Sequence, residues 1–173
     1  MNLGISVMVH AKLDNIDLSI LRELQDEGRI TNVELANRVG ISAPPCLRRV
    51  RALEKSGFIK GYYADLEQRE LGYNVTVFAH VGLTSQAEPD LVGFEELINS
   101  WPEVRECYML AGETDFILKV VAEDWETYQI FVMKKLTPAP NVAHVKSSLT
   151  IRSSKSKPGI PVDILVEEEM PDD

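Results

Sequence analysis

Residues 31–58, TNVELANRVGISAPPCLRRVRALEKSGF, constrain the fold more than any other stretch of the chain. Thr31 stands three residues before Glu34, a spacing that lets the two side chains satisfy free amides at a helix start. Leu35, Ala36 and Val39 come next at helical spacing, and Gly40 supplies the left-handed residue that ends a helix. Ile41 then anchors a turn in the core and Ser42 is placed to cap the next helix. Pro44 and Pro45 fall in that helix's first turn, where a missing amide removes no internal bond. Helix, tight turn, helix is the helix-turn-helix frame.

The second of these helices has two unlike faces. At about 100° per residue, Ala43, Cys46, Leu47, Val50 and Leu53 share an apolar arc. Arg48, Arg51 and Lys55 share the opposite arc, with Arg49 on its flank and no acidic residue among them. A basic face of this kind suits the major groove of double-stranded DNA, where Arg binds guanine bidentately and its neighbours hold phosphates. The expected DNA-binding set is Ser42, Pro44 and Pro45 at the helix start with Arg48, Arg49, Arg51 and Lys55 along it. A solvated surface helix is the plainer alternative; the sharp turn before the helix and the missing acids weigh against it.

The net charge of −9 is unevenly spread. Residues 1–72 hold ten basic and ten acidic side chains, whereas residues 73–173 hold eight and seventeen. From Arg38 to Lys60 six basic residues face Glu54 alone. With a Debye length of about 8 Å, this local field governs docking and distant acids are screened. No apolar run approaches the roughly 18 residues of a membrane span, and the start lacks a signal peptide's basic and apolar regions, so a cytoplasmic protein is expected. Cys46 and Cys107 read as buried thiols in a reducing compartment, without metal spacing.

Taken in order, residues 1–12 look like a flexible extension. Asp14 caps a first helix with Ile16, Ile20, Leu21 and Leu24 on one side, ended by Gly28, so that residues 13–60 form one helix-turn-helix domain. Residues 61–73 read as a strand linker and hinge. From Tyr73 the period becomes two: Val75, Val77, Ala79, Val81 and Leu83 alternate with outward residues. A helix opened by Pro89, strands over 104–111 and 116–122, a helix capped by Asp124, and a strand over 142–151 complete the order βαββαβ. That is the ferredoxin-like arrangement, occupying residues 74–152. The fold class expected is therefore α+β, with an N-terminal helix-turn-helix, winged-helix-like domain joined by a strand linker to a ferredoxin-like domain. The sheet's second face also bears apolar residues and should meet another subunit. Residues 153–173 form a linker-like stretch and an acidic tail, in which Val162, Ile164 and Val166 alternate as a short added strand would.

Through the segments LDNIDLSILRELQDEGRITNVELANRVGIS, PCLRRVRALEKSGFIKGY and ECYMLAGETDFILKV, residues 13–152 resemble the leucine-responsive regulator (Lrp/AsnC, feast/famine) family along nearly their whole length. The resemblance implies a sequence-specific DNA-binding transcriptional regulator, a homodimer assembling to higher oligomers up to the octamer, modulated by a small amino acid bound where dimers meet. Physical chemistry asks for the same dimer, because one short recognition helix makes too few base contacts for operator affinity. For the effector the resemblance points to Met109, Gly112, Asp115, Trp125, Ser148, Leu149 and Thr150. Gly112 would let backbone amides approach a ligand carboxylate, and Asp115 would accept an α-ammonium. Met109, Trp125, Leu149 and Thr150 would supply wall. Equally, Asp115 reads as a turn-capping carboxylate and Trp125 as a surface-packed aromatic. Ser148 stands where leucine-responsive members tend to carry a larger aromatic side chain, so the resemblance does not imply leucine itself.

An enzyme is the first competing class. His10, His80 and His144 have no nucleophile, carboxylate or metal pattern beside them, and no phosphate-cradling loop or cofactor motif occurs, so neither catalysis nor a cofactor is expected. The second is an amino-acid-sensing or interaction module without DNA binding. A steep negative salt slope in DNA titration separates the regulator from it.

Overall fold

The structure, a computed structural model, describes residues 13–162. Its chain divides into two compact units, one comprising residues 1–65 together with 156–173, the other residues 66–155.

The first unit contains three helices: α1 (Asn15–Asp26), α2 (Asn32–Arg38) and α3 (Ala43–Lys55). A full capping box opens α1, since Asp14 accepts from the Asp17 amide and Asp17 reaches back to the Asp14 amide. Only half a box opens α2: Thr31 accepts from the Glu34 amide, while the Glu34 carboxylate turns away to Arg38. Two helices end alike. Ile41 N donates to Ala36 O and Gly40 N to Asn37 O, with Gly40 at φ 74°; Phe58 N donates to Leu53 O and Gly57 N to Glu54 O, with Gly57 at φ 80°. Each is a Schellman closure, which needs a left-handed residue and therefore glycine. Ile20, Leu35, Ala36, Cys46 and Leu53 form the core, and Phe58 and Ile59 fold back onto it. Leu47, expected on the apolar arc, is exposed instead. Asn32 Nδ2 donates to Ala43 O at 2.9 Å and ties α2 to the start of α3.

The linker departs from expectation. Residues 59–67 run without helix or strand and residues 68–72 turn, with Gly72 at φ 87°. A lone segment forms no ladder without a partner edge, and no strand pairs with it among the described residues. Among the described residues no strand comes between α3 and Val75.

The second unit has the βαββαβ order: β1 (Val75–Leu83), α4 (Glu88–Asn99), β2 (Val104–Met109), β3 (Phe116–Ala122), α5 (Trp125–Phe131) and β4 (Val142–Leu149). The sheet is antiparallel throughout, in the order β2-β3-β1-β4. Val77, Ala79 and Val81 pair with Val120, Leu118 and Phe116, and these six side chains form the helix-covered face. Phe94 and Ile98 from α4 and Tyr128 and Phe131 from α5 close over them, with Phe94 and Phe116 ring centroids 5.0 Å apart. A register shift at Gly82/Leu83 explains why three consecutive residues, Val81 to Leu83, are all buried. After α5 the chain winds one π turn, Val132–Leu136, which places Leu136 fully in the core before Pro138 stops it. Asn141, at φ 67°, then sets the entry to β4: its carbonyl accepts from Thr84 N at 2.8 Å and its amide donates to Ser85 O at 2.8 Å.

The opposite face of the sheet is open. It carries Phe78, Tyr108, Ile117 and Val121 around a Lys119–Glu106 ion pair of 2.7 Å, whose carboxylate also accepts from the Tyr108 hydroxyl. Cys107 is exposed rather than buried, because β2 is an edge strand.

Candidate DNA-binding face and effector residues

The basic stretch of the first unit sorts into two classes. Arg38 bridges α1 and α2, with Glu34 at 2.7 Å, Glu27 at 2.8 Å and Glu23 at 3.3 Å; these carboxylates raise its pKa. Arg49 reaches from α3 to the start of α1, where Nη1 lies 2.7 Å from Asp17 and 2.8 Å from Asp14. Those two carboxylates raise the Arg49 pKa in turn. Desolvation works to raise the Asp14 pKa, but the Asp17 amide and Arg49 together hold it below the ordinary value. Two of the six basic residues between 38 and 60 are thus neutralised inside the unit.

The others face solvent. Arg48, Arg51 and Lys55 are exposed, and none has a carboxylate partner among the described residues. With Pro44 they make the series i, i+4, i+7, i+11, a single stripe along α3. Ser42 occupies the N-cap at φ −78°, ψ 154°, yet its hydroxyl caps nothing. The reason is chemical: an N-cap oxygen accepts from the second or third amide of the helix, and here those residues are Pro44 and Pro45. The expected cap does not form, and the Ser42 side chain stays exposed beside the basic stripe. Pro44 is exposed and Pro45 half-buried. Of the seven residues expected at DNA, Arg49 alone is occupied by acidic partners among the described residues.

The effector candidates do not converge within one chain. Met109, Gly112 and Asp115 lie at the β2–β3 hairpin, the end of the sheet where β1 finishes. Asp115 Oδ2 accepts from Leu83 N at 2.6 Å, and Asp115 N donates to Val81 O at 3.0 Å. Its carboxylate therefore closes the end of β1, the turn-capping reading of the sequence. Gly112 is exposed, has no positive φ, and a Cβ there would meet nothing within 4 Å. Nothing among the described residues requires glycine at that position. Trp125, Leu149 and Thr150 lie at the other end: Thr150 N donates to Thr76 O, Leu149 pairs with Val77, and Trp125 comes just after the β3 rung that pairs with Val75. About six residues of strand separate the groups, roughly 20 Å. Trp125 stacks at 5.2 Å on Tyr128 but is 41% exposed, and Met109 and Leu149 are each 50% exposed. Thr150 Oγ1 is buried without a hydrogen-bond partner. Ser148 sits opposite Phe78, on the open face between the two ends. A cleft of about 180 Å³ between α4 and the β4 entry is lined by Asp90, Gly93, Phe94, Leu97, Pro140 and Asn141, none of them a sequence candidate.

Among the described residues, no cluster of ligating side chains could hold a metal, and no helix is long and apolar enough to cross a membrane.

Comparison with known proteins places both units. Residues 13–60 match the winged helix-turn-helix DNA-binding model, and residues 76–160 match the Lrp/AsnC ligand binding domain. The chain is 54% identical over 149 residues to a leucine-responsive regulatory protein of Rhizobium meliloti, covering 86% of this chain and 96% of that protein. It is 43% identical over 143 residues to the Bkd operon transcriptional regulator of Pseudomonas aeruginosa, covering 83% and 94%. Among solved structures, a transcriptional regulator of Neisseria meningitidis in complex with L-Met superposes with a TM-score of 0.85 at 34% identity, over 89% of this chain and 99% of that one. An AsnC family regulator of Agrobacterium tumefaciens gives 0.83 at 31%, over 88% and 99%. With a helix-turn-helix that bears a free basic stripe, a βαββαβ sheet with one open face, and matches across both units, the chain belongs to the Lrp/AsnC family of transcriptional regulators.

Proposed function

We propose that this regulator docks on double-stranded DNA through the stripe of Arg48, Arg51 and Lys55, with Ser42, Pro44 and Pro45 at the phosphate backbone by the helix start. The observation that carries the reading is the absence, among the described residues, of acidic partners on that stripe, beside two arginines that are fully engaged. Arg49 acts as a structural pin and leaves DNA contact to its neighbours. Substituting Arg48 or Arg51 by Ala is expected to weaken operator binding by about 1–3 kcal/mol where the side chain reads a base, and to lower the salt slope by about one where it holds a phosphate. Fluorescence anisotropy across a salt series measures both. Parent affinity in both variants at physiological salt would overturn this placement of α3.

The working unit is a homodimer formed over the open sheet face, assembling to an octamer, in the cytoplasm where its DNA lies. A palindromic operator offers two half-sites about 34–36 Å apart, which a single α3 does not span. A small amino acid binds between dimers. Supporting this, the two groups of candidate residues lie roughly 20 Å apart in one chain, so only different subunits bring them to one ligand. Methionine is the first to test, given the Neisseria relative solved with it. Calorimetric titration with an amino-acid panel, alongside sedimentation, tests the site. Failure of every amino acid to bind or to alter assembly would remove the effector from the scheme.

A further inference from the structure

The end of the described chain returns to α1. Gln25 Nε2 donates to Ile160 O at 2.8 Å, and Ile160 N donates to Gln25 Oε1 at 2.9 Å, so one side-chain amide takes both polar groups of one residue. Gly159 sits at φ 83°, and a Cβ there would collide with the Gln25 amide, so both conformation and space demand glycine. Lys157 Nζ adds an ion pair of 3.5 Å to Asp26, and Val162 is 4% exposed. Pro158 and Pro161 stiffen the chain on either side of the clasp. These contacts lie within the DNA-binding unit, to which residues 156–162 belong. The acidic cluster expected from residue 163 onward, with Ile164 and Val166 of its short strand, lies outside the described residues.

What the clasp anchors is basic. After Thr150, whose N donates to Thr76 O, residues 151–161 form neither helix nor strand and are exposed throughout. Arg152 and Lys155 stand in this segment, with Ser153, Ser154 and Ser156 between and beside them. Lys157 is engaged on Asp26, but neither Arg152 nor Lys155 has a carboxylate partner among the described residues. No acidic residue occurs from residue 127 to residue 162, so nothing nearby in sequence neutralises the two. Lys155 lies five residues before Ile160 and Arg152 eight, at most about 18 Å and 29 Å of chain. The clasp therefore keeps both cations within that reach of the unit that carries the α3 stripe.

We infer that residues 152–156 are a second DNA contact, a basic strap that the Gln25–Ile160 clasp holds on the DNA-binding unit so that Arg152 and Lys155 meet phosphates of the duplex. Cationic side chains with hydroxyls beside them are the residue types that bind phosphate oxygens. Duplex DNA carries one phosphate per about 1.7 Å of its axis, so a strap beside the footprint finds partners at any sequence. Such contacts position a protein without reading bases, and the strap therefore adds the same affinity to operator and to other duplexes. Fixing one end of the segment lowers the cost of ordering it on DNA. The strap binds phosphates whichever side chains of α3 meet the groove.

The full chain is compared with Arg152→Ala/Lys155→Ala, with the charge-keeping Arg152→Lys/Lys155→Arg, with Gln25→Ala, and with Gln25→Ala added to the double Ala variant. Binding to a duplex of arbitrary sequence is followed by anisotropy from about 50 to about 200 mM salt, and assembly by sedimentation. Each phosphate contact contributes about 0.9 to the salt slope, so the double Ala variant is expected to bind more weakly with a slope smaller by about two. Its gap from the parent should then narrow roughly tenfold across that salt range. The charge-keeping variant should restore the parent slope. Gln25→Ala frees the strap and should lose part of the same slope, an effect that vanishes in the double Ala background. A parent slope in the double Ala variant would overturn the strap, and a parent slope in Gln25→Ala would overturn the clasp's part in it. An equal effect of Gln25→Ala in both backgrounds would also refute that part, and altered assembly of the double Ala variant would assign the strap to subunit contact instead. Arg51→Ala is titrated alongside: a parent slope there, with a reduced slope in the double Ala variant, would count against the placement of α3 and leave the strap standing.

Discussion

Arg48 and Arg49 are adjacent, identical in chemistry and opposite in assigned role, which makes Arg49→Ala the sharpest perturbation of the first unit. Arg49 is 31% exposed and Asp17 18%, at 2.7 Å, a largely covered charge-assisted bond that contributes about 1–1.5 kcal/mol. Asp14 is 51% exposed at 2.8 Å, so solvent screening reduces that pair to about 0.5 kcal/mol. Together the pin contributes roughly 1.5–2 kcal/mol to holding α3 against the capping box of α1. For a unit of this size each kcal/mol moves the midpoint by about 4–8 °C, so Arg49→Ala should melt roughly 10 °C early. Arg48→Ala, on an exposed residue with no acidic partner among the described residues, should stay within about 0.5 kcal/mol of the parent. Heat unfolding read by far-UV circular dichroism gives the stabilities; anisotropy well below either transition gives DNA affinity. The expected pattern is crossed: Arg49→Ala loses stability and keeps most affinity, and Arg48→Ala does the reverse. A double-mutant cycle with Asp17→Asn should return a coupling near 1 kcal/mol. Parent-like melting of Arg49→Ala with an affinity loss matching Arg48→Ala would refute the pin and return Arg49 to the DNA face.

Acid should release the same pin. The native pKa of Asp14 is depressed, so its contribution is complete above the ordinary carboxylate value, 3.8, and is lost as pH falls through the lower native one; Asp14→Asn should be less stable at neutral pH and flatter in an acid titration read by circular dichroism. Asp115→Ala removes the acceptor for Leu83 N, so it is expected to cost about 1–3 kcal/mol in urea unfolding as well as any ligand response. An Asp115→Asn variant that keeps the hydrogen bond but loses amino-acid binding would isolate the ligand role, whereas full binding in both variants would place the effector elsewhere. Leu136→Ala, at a fully buried position in the π turn, should cost about 2–5 kcal/mol by the same measurement.

Local rules carried most of the fold. Period-two alternation from Val75, the Asp124 cap and the Gly40 turn are written within a few residues, and each formed where its spacing placed it. The features that local rules did not show share a cause, since each depends on a partner distant in sequence or on a neighbour's chemistry. Ser42 lost its capping role to the prolines two and three residues on, a signal already written in the sequence. Arg49 looked like its neighbours until Asp14 and Asp17, more than thirty residues earlier, were folded beside it. The linker was read as a strand from β-formers alone, but a ladder needs a second edge. At the effector site the residue types were legible, but their division between opposite sheet ends comes from register, which only the paired strands define.

The clasp between Gln25 and Ile160 joins residues 135 positions apart, and that fixes an order of events during synthesis. The helices of the first unit make contacts close in sequence, which form fast and early. They can fold while the ribosome is still translating the sheet, because domains fold as units from the N-terminus. Ile160 emerges only after the last strand has been made, so the DNA-binding unit exists for a time without its final piece. Each new molecule passes through an unclasped stage, and the entropy of closing so long a loop is reduced only once the intervening sheet has folded and drawn its ends together.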